Sequence, residues 1–390
     1  IGTGADVAGE DGVTVSAQDI LTLFTGAGSI GLSIGGSGVG VAINVDVVRR
    51  DTLATIEAGA DVYSSEGDVS VTAHAVDDLT SVAATFGASS DSVAAAFSIG
   101  VAVVLTNAKA DIQSTAGASN VSEVSAGGDV TVAASGHLDM LFISGGAAAS
   151  LSSAGIGIGS TVLVHTDTVE ARIGESARID TAGAAGLTLS AQSSENILDI
   201  VVGAGVSGGS VAVGGSVLVT VMNETTRATI ADDAVVEAVS AGASDPGVAL
   251  DVDSHTEVLS VAGALGLSAG SAGIGAGVNV HTITKTTEAT LGDGVSVRGD
   301  GADSFADGNI EITADSTERV ATFAVAAAAG SSVGVGVGAD VMVMTLTTTA
   351  AIGANASVLT RGSVKVQAVD ETEVDAIVVG ASAGGSGGVG

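Results

Sequence analysis

The sequence predicts an all-β fold, a parallel β-helix-like solenoid built from repeats of about 60 residues. Three observations predict it. A short strand signature recurs along the whole chain, a second landmark accompanies it, and valine alternates with glycine in one strand after another. A sequence that repeats one unit at a nearly fixed period is typical of proteins whose units stack on one another to bury a continuous core.

The first repeated element is a short alternating strand. It reads VTVSA at Val13, VSVTA at Val69, VTVAA at Val130, LTLSA at Leu187, LDVDS at Leu250, IEITA at Ile310 and VKVQA at Val364. Alternation with a period of two is typical of a strand with one buried face. We therefore predict a single continuous array over residues 1–390, with units that start near 13, 69, 130, 187, 250, 310 and 364. We interpret it as a window of a longer chain.

The second repeated element is a landmark of the form IGxxAxV, which ends a threonine-rich strand and enters a turn. Its first residues are Ile56, Ile112, Ile173, Ile230, Leu291 and Ile352. Differences in repeat length fall mostly after this landmark, as at 243–247 and 299–309. Insertions confined to one place in each unit indicate that the rest of the unit is fixed in a ladder.

The third element is a strand that alternates valine with glycine, best seen at 332–353. A glycine inside a strand costs about 0.5–1 kcal/mol relative to alanine, so its repetition indicates a close approach of another sheet. Two interpretations remain open. The glycine and alanine faces either line a narrow core or form a surface for lateral contact between fibres.

The size of one coil also remains open at this level. A unit of about 60 residues could form three coils of about 20 residues or one wide coil. The alternative fold is a string of small β-sandwich domains. We disfavour it because the chain has six Phe and no Trp, and such short domains would bury little apolar surface alone.

Composition excludes several classes of partner. The net charge of −33 makes nucleic acid and anionic membranes poor partners, since both attract clusters of Lys and Arg. The absence of Cys excludes disulfides and thiolate metal sites. Residues 140–164 carry no charge, but Gly and Ser interrupt them and favour a strand over a membrane helix. We therefore predict no membrane spanning.

No motif predicts an enzyme or a required cofactor. The only candidate metal site is at 299–306, GDGADSFA, which matches the core of the calcium-binding nonapeptide repeat. Asp300, Asp303 and Asp307 could supply oxygen ligands to calcium, although that site needs consecutive turns and the chain has one copy. The five histidines are interpreted as solvated residues at strand ends: His74, His137, His165, His255 and His281.

The cycle of GVGVxxxVxV, TTxATIGxxAxV and GxVxVxA resembles the giant repetitive surface proteins of bacteria, the leukotoxin-type filamentous adhesins and related autotransporter-like β-strand-repeat proteins. The segments 223–236, NETTRATIADDAVV, and 284–297, TKTTEATLGDGVSV, carry the resemblance best. It implies export to the cell surface, an extended fibre, and attachment or scaffolding.

The first functional hypothesis is therefore a structural extracellular protein, a fibre or adhesin stalk that associates with itself or with neighbouring repeats. The alternative is a module that binds a glycan or another cell-surface ligand on its insertion turns. An enzyme such as a polysaccharide lyase is disfavoured, because 11 Lys and Arg are spread along the chain and form no cluster.

Overall fold

The computed structural model describes residues 1–390 except 118–119, 184–185, 240–245, 300 and 302–303. These described residues form a parallel β-solenoid, and none of them lies in a helix. The fold class predicted from the sequence is confirmed. Even the alanine-rich segment at 324–330 is part of a strand, because its neighbours on both sides require an extended partner.

Each unit contributes one short strand and two long strands. Each of these three strands forms a separate sheet with its equivalents in the other units. The short sheet contains β1 (Asp6–Gly9), β4 (Asp61–Ser64), β7 (Glu123–Ala126), β10 (Arg178–Thr181), β13 (Val235–Ala238), β16 (Ser296–Arg298) and β19 (Ser357–Val358). The first long sheet contains β2 (Gly12–Ser33), β5 (Asp68–Ser89), β8 (Val130–Ser150), β11 (Leu187–Ser207), β14 (Pro246–Ser268), β17 (Asn309–Gly330) and β20 (Val364–Gly384). The second contains β3 (Gly38–Ile56), β6 (Ala94–Ile112), β9 (Ala154–Ile173), β12 (Val211–Ile230), β15 (Ala272–Leu291), β18 (Val333–Ile352) and β21 (Gly387–Val389).

One repeat unit is one wide coil. Every long strand pairs in parallel with the equivalent strand of the next unit, so that Ile56 lies opposite Ile112 and Ile112 opposite Ile173. Pairing between units excludes both the three-coil arrangement and a string of separate sandwich domains. One motif alignment is corrected: the partner of Leu187 is Val248, two residues before Leu250.

The IGxxAxV landmark is a tight turn from the second long sheet to the short sheet. In every copy except that at Ile112, the third residue after the landmark isoleucine or leucine has a positive φ, as at Gly59 (75°), Ser176 (59°), Asp233 (57°) and Gly294 (70°). The alanine that follows closes the turn, and Ala60 N donates to Glu57 O at 3.2 Å. Gly, Asn and Asp tolerate this backbone region best, which explains the small polar residues of the motif.

The main hydrophobic core lies where the three sheets meet. Columns of Val, Leu, Ile and Ala from the start of the first long sheet, the end of the second and the centre of the short sheet fill it, for example Val132, Ile173 and Ile179. The landmark isoleucines are part of this core, because the turn places their side chains inside.

The opposite end of each coil is a thin two-sheet layer, which we call the wing. It comprises residues 141–164 in the third unit and the equivalent residues of the other units. The glycines of the Val-Gly strands point inward, so a Cβ added to Gly157 would lie 2.0 Å from Ala204 O, and one on Gly155 would lie 2.1 Å from Val206 O. The glycine face therefore lines a narrow core, and the valines of the same strands point outward.

A serine ends the inward face of the first long sheet at the tip of most wings. Ser150 Oγ donates to Ser92 O of the preceding unit at 2.6 Å, and Ser153 N donates to Ser150 Oγ at 3.1 Å. Ser89, Ser207 and Ser268 make equivalent contacts. The hydroxyl thus satisfies turn groups that the ladder leaves unpaired.

Candidate functional site

Polar side chains on the inward faces of the long sheets, buried in the inner units and partly exposed in the end units, form a line along the solenoid axis between the main core and the wing, which we call the polar row. Because strand side chains alternate, its members occupy inward positions of both long sheets. They are Asp19, Arg50, Asp77, Thr106, Asp167, Ser193, Glu195, Glu224, Ser254, Thr256, Lys285, Ser316, Glu318, Thr348, Asp370 and Thr372.

Arg50 holds one end of the polar row. Its Nη2 lies 2.6 Å from Asp19 Oδ1, and its guanidinium also pairs with the buried carboxylate of Asp77. Thr106 Oγ1 donates to Asp77 Oδ2 at 2.9 Å. The hydrogen bond from Arg50 lowers the pKa of Asp19. This end of the row is therefore charged, with two carboxylates around one cation.

Three carboxyl groups meet in the middle of the row. Burial, and then the charge of Glu224, raises the pKa of Asp167 to about 7. Burial, and then the charge of Asp167, raises the pKa of Glu195 to about 8. The pKa of Glu224 is raised well above its ordinary value by burial and then by Glu195. Near neutral pH this group accordingly retains protons.

Lys285 joins the middle of the row to its other end. Its Nζ lies 2.9 Å from Glu318 Oε1 and donates to Thr256 Oγ1 and Ser254 O, each at 3.0 Å. Thr256 Oγ1 in turn donates to Glu224 Oε2 at 2.7 Å. Beyond Glu318, the row continues through Thr372, whose Oγ1 donates to Glu318 Oε2 at 2.9 Å.

The middle of the polar row is closed to ligands. The space that Asp77, Thr106, Asp167 and Glu195 bound has no room for a water molecule. A substrate could not reach these carboxyl groups without separation of the two sheets. The arrangement can hold protons and pair charges between units, and it offers no place for a reacting molecule among the side chains that surround it.

Two histidines lie inside the solenoid, so the prediction of solvated strand ends is wrong for them. His165 is 1% exposed and His281 is 0% exposed. Burial lowers the pKa of His165 to about 4 and also lowers the pKa of His281. Each lies an even number of residues after the inward-facing glycines of its Val-Gly strand, so its side chain is on the same inward face. That spacing is the sequence signal that could have predicted their burial. The other three point outward, and His74 Nδ1 lies 2.6 Å from Ser135 Oγ.

Only part of the candidate calcium turn lies within the residues that the structure describes. Asp300 and Asp303 lie outside the described residues. Asp307 Oδ1 pairs with Arg361 Nη1 of the next unit at 2.7 Å. The described part of the chain contains no group of three or more His, Asp or Glu side chains arranged to hold a metal ion. Calcium binding at this turn stays a prediction.

A shallow groove of about 300 Å³ runs over the outer face of the short sheet. Ion pairs between neighbouring units line it: Arg298 Nη2 lies 2.8 Å from Glu237 Oε1, and Arg178 Nη1 lies 3.7 Å from Glu123 Oε1. The insertions at 243–247 and 299–309 flank the same sheet in sequence. Unlike the polar row, this groove is open to solvent.

Comparison with protein-family models, with curated proteins and with solved structures found no match to this chain. Among the described residues, no helix has the length and the apolar character to cross a membrane.

Proposed function

We propose that the chain is a structural module of a bacterial surface fibre or adhesin stalk. The observation that carries the proposal is the unbroken ladder between units. Every residue of β11 from Leu187 to Ser207 has a partner in β14, and the equivalent strands of the second long sheet pair in the same continuous way. Such a ladder transmits load along its axis.

The ladder supports a mechanical role because its hydrogen bonds point along the axis. To separate one coil from the next, a force must break the bonds of two long strands and one short strand together. Each coil adds only ~4.8 Å to the axis, while a strand of 21 residues spans ~70 Å across it. A fibre of this design is a broad, stiff blade, and its length requires many repeats.

The polar row supports the same role by fixing which units stack. The inward residues that occupy one position of successive units differ in charge: Arg50, Thr106, Asp167, Glu224 and Lys285. The two cations of this position find their partners in the observed register: Arg50 pairs with Asp19 and Asp77, and Lys285 pairs with Glu318 of the following unit. A slipped ladder would leave buried charges unpaired, which is strongly unfavourable.

Force spectroscopy tests this proposal. Stretching the 390-residue chain between its ends should give unfolding steps of ~200 Å in contour length, one for each unit of about 60 residues. Electron microscopy of longer arrays should show blades with a ~4.8 Å axial spacing. Separate globular particles, or low-force extension without steps, would reject the mechanical role.

A second candidate is a glycan-binding adhesin module, favoured by the open groove on the short sheet. Guanidinium and carboxylate groups such as Arg298 and Glu237 can hydrogen-bond to sugar hydroxyls. A glycan array probed with the 390-residue chain and with Arg178→Ala/Arg298→Ala tests it. Binding that the double variant loses supports this function, and absence of binding or equal binding rejects it for the groove.

A further inference from the structure

The outer face of the second long sheet is apolar across the whole wing. It consists of five outward positions in each of six strands, namely every second residue of 39–47, 95–103, 156–164, 213–221, 274–282 and 335–343. Apart from Ser160, Gly215 and Thr282, each of these positions is Val, Ile, Ala or Phe. We call this surface the valine face.

The valine face is exposed in the interior of the array as well as at its first strand. Ile99 is 40% exposed, Val217 is 40% exposed and Ile274 is 37% exposed. Five outward positions span ~26 Å and six strands span ~29 Å, which gives roughly 750 Å². The largest apolar patch on a typical monomer is about 300–600 Å², so this face exceeds what a monomer normally leaves uncovered.

The wing also differs from an ordinary β-sandwich in which side chains face its interior. Beyond the buried Phe142 and Leu163 at its base, its inward positions are mostly Gly, Ala and Ser, such as Gly155, Gly157 and Ala148, and most of its larger residues point to solvent. An interior of such small residues buries little apolar surface. Covering the valine face would supply the hydrophobic stabilisation that the inside of the wing lacks.

We infer that the valine face is the contact by which two copies of this chain associate laterally, face to face. Two such faces would bury roughly 1,500 Å² together, within the 1,200–2,000 Å² of stable protein interfaces. The face carries no charge, whereas the chain has a net charge of −33, so contact between copies at this face brings no like charges together. This inference deepens the proposed fibre role and depends on it only for its biological meaning.

Sedimentation velocity of the 390-residue chain over roughly 1–100 µM tests the inference. The wild type should form dimers or larger assemblies in this range, where interfaces of this size commonly act. Val162→Glu/Val219→Glu/Val280→Glu places three carboxylates in one column of the valine face and should abolish association. Thr168→Glu/Thr225→Glu/Thr286→Glu places them on the same strands, on the polar half of the same side, and should leave association unchanged.

A conservative variant keeps the test decisive if three glutamates unfold the chain. Val162→Thr/Val219→Thr/Val280→Thr retains β-branched side chains and should weaken association at least tenfold, with an unchanged circular dichroism spectrum. A wild type that stays monomeric at 100 µM overturns the inference, as does a glutamate variant that folds and still associates. A monomeric wild type that floats with phosphatidylcholine vesicles also overturns it, and indicates a lipid partner. None of these results affects the force measurement, so failure of the inference and failure of the fibre role are distinguishable.

Discussion

Lys285 and Glu318 form an ion pair inside the solenoid, with Nζ and Oε1 2.9 Å apart and side chains that are 1% and 0% exposed. Lys285 belongs to the second long sheet and Glu318 to the first long sheet of the following unit. The pair therefore ties two sheets and two coils together at one point.

Lys285→Met should destabilise the chain by about 3–5 kcal/mol, because it leaves the Glu318 carboxylate buried without a cation. Lys285→Met/Glu318→Leu should recover most of that loss, since no charge remains buried. Urea denaturation followed by circular dichroism measures both. Arg319→Met is the control, because Arg319 pairs with Glu373 at 3.9 Å with both side chains more than half exposed. If Lys285→Met and Arg319→Met lose equally little stability, the buried pair contributes nothing.

The free energy of unfolding should fall as pH rises from about 5 to 8. Asp167 and Glu195 have folded-state pKa values of about 7 and about 8, above their ordinary values. The folded chain thus binds more protons than the unfolded chain in this window, and stability declines as they are released. His165, with a folded pKa of about 4, acts in the opposite sense, and its contribution is lost as pH falls from about 6.5 towards 4. Because the two carboxyl groups together outweigh His165, stability should be greatest near pH 5 and should decline from there to pH 8.

Thermal melts from pH 4 to pH 9 measure this dependence. Glu195→Gln should flatten the alkaline side, because the amide carries no charge to bury. Glu257→Gln alters an exposed, outward carboxylate of β14, the strand that pairs with that of Glu195, and should leave the profile unchanged because its side chain lies on the opposite face of the sheet. A wild-type melting temperature that rises steadily from pH 5 to pH 8 would contradict the proton storage assigned to the polar row.

Gly157→Ala and Gly145→Ala should differ strongly, although both glycines lie in strands of the same unit. An added Cβ at Gly157 would lie 2.0 Å from Ala204 O, whereas one at Gly145 would lie 3.7 Å from Val202 O. The first should cost about 1–3 kcal/mol or more through overpacking, and the second should be neutral or stabilise by about 0.5–1 kcal/mol. Chemical denaturation compares the two, and equal effects would contradict the close approach of the sheets in the wing.

Ser176→Gly should stabilise the fold by about 1 kcal/mol, because Ser176 has a φ of 59°, a left-handed value that glycine adopts without strain. The converse change, Gly59→Ala, should destabilise by a similar amount, since Gly59 occupies the equivalent turn with a φ of 75°. Differential scanning calorimetry gives both signs. The same sign for the two variants would show that the backbone angle does not control these turns.

The periodic apolar residues made most of the fold predictable. The polar row, in contrast, was not predictable from the polar residues of the sequence. The landmark was aligned correctly at Ile173 and Ile230 because the same tight turn follows both, and Ile112 pairs with Ile173 although the sequence after it departs from the motif. Leu250 was misaligned because alternation is equally satisfied by a shift of two residues, and the observed partner of Leu187 is Val248. Lys285 and Glu318 are 33 residues apart in sequence, and no local pattern marks them as neighbours.

The sequence by itself determined the class of fold and the unit length, because hydrophobic alternation and turn chemistry are local properties of the chain. Only the tertiary structure decided that one unit is one coil, that the glycine face is inside and that the valines face solvent. Those features depend on which sheet lies opposite which, and a period of two distinguishes two faces without saying which is buried. The same contact across the coil brings His165, Asp167 and Glu195 into one interior, where burial changes the protons that they hold.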